Sequence, residues 1–423
     1  MHRNILSCNA AQDRPGNATL SKKMRPVTRQ NEEQFSETNS EGEVMISFKK
    51  GASATRRDFL KTAAAAGAGL SMPAIVSSSV LASSGEINIM MWSDYLPESF
   101  VNGFTDKTGI KINFTGIGSN EEIINKLKAT NGEGFDIVSP TVNRNLLWAE
   151  LGLLQPFDMS KVALDKVNPS MALGETHWNF DGKGVFWLPH IWGTEGIAWR
   201  TDAFVPGGEF PSYYDVWDEA NAGKTMGRGH SMLLGLGLGL EGRGELEPGS
   251  MWAAYESPEK MDEVWTKVVE AAIAKKPNIK LIWNDADTQK NGLLNEGVIV
   301  GQTWDGPPLA LKTAGEPVMY RAPKEGAMAW VDGLAMPTGA KNIDQIYAFI
   351  ETAYDAKLAG EAIKTHGYNS PVIGAAEFGG EIYAKNFADA YPGEALDNLN
   401  AWPAEAPWYS EKRTEYTNKF LSA

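Results

Sequence analysis

Residues 86–151 place strand, helix, strand, helix and strand signals in unbroken succession, and few folds accommodate that order. Glu86–Trp92 sets Ile87, Ile89 and Met91 on one face, the two-residue period of a strand. Residues 97–107 carry proline in the first turn and Phe100 and Phe104 four apart, and Gly109 ends the helix they predict. Lys111–Ile117 alternates again through Ile112 and Phe114. Ser119, Asn120, Glu121 and Glu122 open a second helix striped by Ile123, Ile124 and Leu127. Residues 135–138 read as a short buried strand ending at Pro140, and residues 143–151 as a helix stopped by Gly152. Alternation at this spacing predicts a parallel sheet with helices on both faces, an α/β fold.

The rest of the chain keeps this class with less regularity. Residues 185–192 and 196–199 read as two apolar strands separated by Gly193, Thr194 and Glu195. Residues 257–275 put Met261, Val264, Trp265, Val268 and Val269 on one side of a helix. Residues 297–301 form a short buried strand, and residues 344–356 a helix carrying Ile346, Phe349 and Ile350. A chain of 423 residues holds about two to three domains. No internal repeat and no long Pro/Ser linker divides it, so two lobes would exchange the chain more than once.

The N-terminal 82 residues stand outside this pattern. They read as a disordered extension followed by a signal peptide. Thr55-Arg56-Arg57-Asp58-Phe59-Leu60-Lys61 resembles the twin-arginine export signal of bacteria. An Ala/Gly-rich stretch follows, ending in small residues at Val80 and Ala82 that suit a signal peptidase. Met45 is the expected start, and Ser83 the first residue after cleavage. The one cysteine, Cys8, lies in the removed part, so a disulfide framework and a Cys-rich zinc site are excluded. The net charge of −14 without a basic block makes a poor nucleic-acid binder.

Enzyme signatures are missing. The glycine run at 235–240 is not the dinucleotide fingerprint and follows no strand, which favours a structural role. There is no P-loop and no Gly-x-Ser-x-Gly elbow. His177, His190, His230 and His366 are scattered and read as surface or interface residues rather than ligands. Tyr213-Tyr214 allows iron-phenolate binding, but the following Asp215-Val216-Trp217-Asp218 reads as a helix start. No cofactor and no metal are expected.

What stands out is tryptophan beside acid where strands end. Trp92-Ser93-Asp94-Tyr95 closes the first strand, Trp304-Asp305-Gly306 closes another, and Trp330-Val331-Asp332 follows a turn. Ligands of open α/β sheets bind outside the carboxyl ends of the strands. Aromatic faces and carboxylates there suit an organic cation. The competing reading is that these tryptophans, drawn from fourteen in the chain, are core.

Several stretches resemble the bacterial periplasmic polyamine-binding proteins. They include Trp92-Ser93-Asp94-Tyr95, Phe104-Thr105-Asp106-Lys107-Thr108-Gly109-Ile110-Lys111, Phe135-Asp136-Ile137-Val138 and Pro189-His190-Ile191-Trp192-Gly193. Residues 323–342, with Trp330-Val331-Asp332 and Ala335-Met336-Pro337, and Gly367-Tyr368-Asn369-Ser370-Pro371 complete them. The resemblance implies a two-lobed, type II-like periplasmic binding clamshell, each lobe a mixed sheet flanked by helices, that closes on a ligand and delivers it to an ABC importer. Residues 86–194 and 331–373 would form lobe 1, and residues 195–330 and 374–423 lobe 2. The implied partners are a small amine and the permease subunits, the location is periplasmic, and the state is monomeric.

Site residues follow from the same resemblance. Trp92, Ser93, Asp94, Tyr95 and Thr141 line the cleft from one lobe. Trp304 and Trp330 form aromatic walls, Asp332 holds an amino group, and Tyr368 closes a third wall. The chain departs from the family at residues 224–233, which contain no acid but do contain Arg228. A cleft-facing Arg228 would repel a diamine or suit a carboxylate. Glu195 and Asp305 are the acids placed to compensate. A quaternary ammonium compound, a zwitterion or a sensor role is the alternative to a polyamine-like ligand.

Overall fold

The computed structural model describes residues 85–423. The export segment, Met45 and the cleavage site lie outside the described residues. The opening alternation folds as its periodicity requires. Strands β1 (Glu86–Trp92), β2 (Lys111–Ile117) and β3 (Ile137–Val138) form a parallel sheet in the order β2-β1-β3. β1 is central, so Ile87, Ile89, Met90 and Met91 are all buried, whereas β2 at the edge buries only Ile117. Helix Glu98–Thr108 buries Phe100 and Phe104, each with its ring centroid 5.7 Å from that of Phe349. It ends on Gly109, whose φ of 72° is left-handed backbone that glycine adopts without strain. Helix Asn120–Thr130 starts at Ser119, which accepts the Glu122 N–H as a cap.

The next strands are a short β4 (Leu154–Gln155) and a long β5 (Leu188–Arg200). The two strands expected at 185–192 and 196–199 are one, because Gly193, Thr194 and Glu195 do not break it. Both its edges are paired there: Glu195 faces Met328 on one side and Trp304 on the other. A side chain at Gly193 would run into the Asp305 carboxyl and the Trp330 indole.

The remaining strands are β6 (Thr225–Gly227), β7 (Ile279–Ile282), β8 (Val300–Trp304), β9 (Val318–Arg321), β10 (Met328–Leu334), β11 (Met336–Pro337) and β12 (Asn400–Ala401). The larger mixed sheet runs β12-β10-β5-β8-β6-β7, with β9 also on β5, while β11 pairs with β4. β8 begins later than the 297–301 expected from sequence, because Gly297 turns at φ 72°.

β5 and β10 join the two sheets. They pair antiparallel from Glu195↔Met328 to Leu188↔Leu334, with a register shift between Asp332 and Gly333. At the far end β10 meets the first sheet through bridges Val138↔Ala335 and Thr141↔Asp332. A further bridge, Trp192↔Asn369, ties a third segment to the crossing. One core lies under the first sheet and continues along these strands. The other surrounds helix Ser231–Gly242, which contains the glycine run. Its glycines allow close packing, since a side chain at Gly237 would collide with Met251.

The C-terminal helix Pro407–Ser422 lies on helix Pro258–Ala274 and reaches across to the first lobe. Arg413 Nη2 stands 2.8 Å from Glu121 Oε1, and Arg413 Nη1 3.4 Å from Glu405 Oε1. Arg144 closes the ring at 2.8 Å from Glu405 Oε2 and 3.1 Å from Glu121 Oε1. The Glu405 N–H also donates to Asn143 O at 2.9 Å. Arg144, Arg413 and Glu405 are buried, while Glu121 is half exposed. Burial works against ionised Glu121, but Arg144 and Arg413 outweigh it and hold its carboxyl well below the usual range.

Two stability effects follow. Removing one member of a buried ion-pair ring leaves its partners uncompensated, so Arg413→Ala should cost about 3 kcal/mol in urea unfolding. An unchanged midpoint would mean the ring adds nothing to the fold. Gly333→Ala should cost about 1–3 kcal/mol by overpacking, because its Cβ would meet the Trp187 indole and the Leu188 carbonyl. Retention of the wild-type melting temperature would show that the crossing strands can relax there.

Candidate functional site

A cavity of about 60 Å³ lies between the sheets, where β1 and β8 end and β5 and β10 cross. Trp92 is the last residue of β1 and Trp304 the last of β8, in keeping with ligand sites at strand carboxyl ends. Trp330 and Asp332 sit differently from the sequence reading: they lie within β10, facing the cavity from the crossing strand.

One end of the cavity is an aromatic pocket around a carboxyl group. Tyr95 and Trp330 are stacked 6.4 Å apart, and Tyr368 meets both edge-on at 5.5 Å. The Tyr95 hydroxyl donates to Asp332 Oδ2. Oδ1 of Asp332 is buried and accepts no hydrogen bond within the protein. Burial pushes Asp332 up to about 7, against the downward pull of Thr141, Tyr95 and Arg228. Thr141 is itself fixed by Asn120, which donates to its Oγ1 at 2.8 Å and accepts its N–H at 3.0 Å. His366 Nδ1 accepts the Tyr368 N–H at 3.1 Å, and burial lowers that imidazole to about 3, so it stays neutral. A carboxylate oxygen left open among three aromatic rings can take an ammonium group, which it pairs while the rings face the charge.

The other end is an indole box. Trp304 meets Trp92 edge-to-face at 5.6 Å and Trp283 at 4.8 Å. The Arg228 guanidinium lies 5.1 Å from the Trp304 centroid and 5.8 Å from those of Trp92 and Trp283. Arg228 Nη2 donates to Gly118 O at 2.6 Å, across from its own lobe. Glu195 also lines the cavity. Its Oε1 accepts from Gln302 Nε2 at 2.7 Å, and burial raises its carboxyl above the ordinary value, with Arg228 acting against that.

Nine of the residues singled out from sequence therefore meet at the cavity wall: Trp92, Tyr95, Thr141, Glu195, Arg228, Trp304, Trp330, Asp332 and Tyr368. Ser93, Asp94 and Asp305 do not line it. Ser93 is exposed beyond β1. Asp94 faces the Tyr368 hydroxyl from behind, and burial raises its carboxyl to about 6. Asp305 is buried under the crossing, where it accepts from Tyr391 at 2.8 Å and from Asn369 at 3.1 Å, and burial raises it to about 7.

Sequence reasoning missed the opposite rim. Asn120 and Glu121 begin a helix after β2, a position that strand-end topology alone would have flagged. Asn143, Arg144 and His230 also line the cavity, as do Trp402, Glu405 and Arg413 from the C-terminal segment. No local motif marks those last three: pairing of β12 with β10 brings in Trp402, and the C-terminal segment brings in Glu405 and Arg413. Among the described residues, no group of three or more His, Cys, Asp or Glu is placed to hold a metal ion, and no helix is long and apolar enough to cross a membrane.

Comparison with known proteins gives this geometry its context. The family model of bacterial extracellular solute-binding proteins matches residues 99–388, and that of the twin-arginine translocation signal matches residues 53–73. The chain is 26% identical over 333 residues to a spermidine/putrescine-binding periplasmic protein of Salmonella typhimurium, covering 78% of this chain and 89% of that one. It is 30% identical over 282 residues to a putrescine-binding periplasmic protein of Escherichia coli, covering 62% of this chain and 72% of that one. A spermidine/putrescine ABC transporter substrate-binding protein from Streptococcus pneumoniae superposes with a TM-score of 0.60 at 25% identity, over 80% of this chain and 98% of that one. The two-lobed clamshell is thus the fold of the group, and the export signal sends the chain to the periplasm. The chain belongs to the bacterial extracellular solute-binding proteins, as a periplasmic member carrying a twin-arginine signal.

Proposed function

We propose that this chain is the solute-capturing subunit of an ABC importer and that its ligand is a small organic amine, of the class its spermidine- and putrescine-binding relatives are named for. The observation that carries the reading is Asp332: a buried carboxyl with one oxygen open, under Tyr95, Trp330 and Tyr368. Its work is binding rather than catalysis, as a monomer, with the ligand and the permease as partners. Residues of both lobes wall the cavity, so a ligand gains its full set of contacts only when the lobes meet. Its differential affinity then shifts the population toward the closed form. The β5–β10 pairing, which runs between the two sheets, supports reading that crossing as the hinge, with lobe boundaries near residues 194 and 331.

The amine reading has a sharp test. An ammonium left without its counter-charge in a closed cleft is costly, so Asp332→Asn should weaken amine binding by about 2 kcal/mol or more in calorimetry. Equal affinity in the variant would remove Asp332 from the site.

The same carboxyl gives a pH dependence of known sign. Asp332 stands at about 7 when folded, well above its ordinary value of 3.8. A folded-state rise means that its contribution to stability is present at low pH and lost as pH climbs through about 7. An ammonium needs the ionised form, so affinity should move the other way, rising by up to about tenfold per pH unit below about 7 and levelling off above. Titrations at several pH values that show flat affinity, or affinity falling as pH rises, would contradict ammonium capture by Asp332.

A further inference from the structure

Arg228 follows β6 directly and lines the same cavity as Asp332. Its guanidinium is within 6 Å of the Trp92, Trp283 and Trp304 ring centres, which is the geometry of a cation held by aromatic faces. The indole box therefore already holds a cation, and that cation is tethered to the protein.

The charges on the wall point the same way. Glu121 and Glu405 are matched by Arg144 and Arg413 in the buried ring. That leaves Asp332 and Glu195 facing Arg228, at most one net negative charge. A single ammonium at Asp332 brings the wall to neutrality. A second ammonium would meet neither an open box nor a spare carboxylate, and it would add like charge beside Arg228. A guanidinium has five N–H donors, and the Gly118 carbonyl takes one of them. The others suit a hydrogen-bond acceptor on the far end of the ligand.

We propose that Arg228 is a specificity-determining residue that restricts the cleft to amines with one positive end and an acceptor, hydroxyl or carboxylate, at the other. This rests on the reading of the cleft as an amine site. The test is calorimetry on the full exported protein with three amines of the same four-carbon length: putrescine, 4-aminobutanol and 4-aminobutyrate. One or both single-ended amines should bind at least about tenfold tighter than putrescine. Arg228→Gln, which removes the charge and keeps a polar though shorter chain, should move that ratio toward putrescine by a comparable factor. The inference is overturned if wild-type protein binds putrescine most tightly, or if Arg228→Gln binds amines but leaves the ratio unchanged. If folded wild-type protein and Arg228→Gln both ignore all three amines, the amine site itself is wrong and the inference falls with it. Should the variant fail to fold, the wild-type ranking alone decides.

Discussion

The antiparallel pairing of β5 with β10 is the constraint on which the cleft depends. Two extended strands cross from one sheet to the other, buried on both faces and hydrogen-bonded along their length. Because strand residues alternate between faces, this pairing fixes which side chains look into the cavity. Glu195 on β5 and Trp330 and Asp332 on β10 are held there by register rather than by loop conformation. The register shift after Asp332 then turns β10 toward the first sheet, where it bridges to Thr141. The proposed hinge and the carboxyl proposed to take the amine are thus parts of one strand, β10.

Charge inside the cleft is arranged by burial. Asp332 and Glu195 are raised because water is excluded from them, while Arg144 and Arg413 hold the Glu121 carboxyl well below its ordinary value. The buried ring adds little net stability by itself, since desolvation offsets much of its attraction. What it does is fix how the C-terminal helix meets residues 121 and 144. Arg228 adds a third kind of group: a cation seated on indole faces and a backbone carbonyl, which keeps its charge in the cleft.

Much of this was legible in the sequence, and the limits were physical. Two-residue and four-residue periods placed β1, β2 and the helices after them: each helix buries one face, while central β1 is buried on both and edge β2 hardly at all. The Gly193–Glu195 segment of β5 read as a gap, since glycine and polar residues carry no strand signal, and the pairing on both edges that holds it extended comes from distant strands. Motifs of the family carried the aromatic walls and Asp332. They also carried residues that build the fold: Asp136 accepts the N–H groups of Asn88, Lys341 and Asn342 and so pins β1 to the chain after β11. Trp283, Trp402, Glu405 and Arg413 were illegible, because their place depends on long-range pairing, of Trp283 beside β6 and Trp402 beside β10, and on the docking of the C-terminal segment. Arg228 was visible as a departure, but its seat among three indoles was not.

The ring also bears on how the protein is made. Arg413 reaches Glu121 across 292 residues of sequence, so one rim of the cleft stays open until the last stretch of chain has been synthesised. The twin-arginine signal stands at the opposite end, among the first residues to emerge. A chain cut short before residue 405 would keep its export address and lack Glu405, which stands 2.8 Å from Arg144. Completion of that rim therefore waits on the C-terminal segment that supplies Glu405 and Arg413.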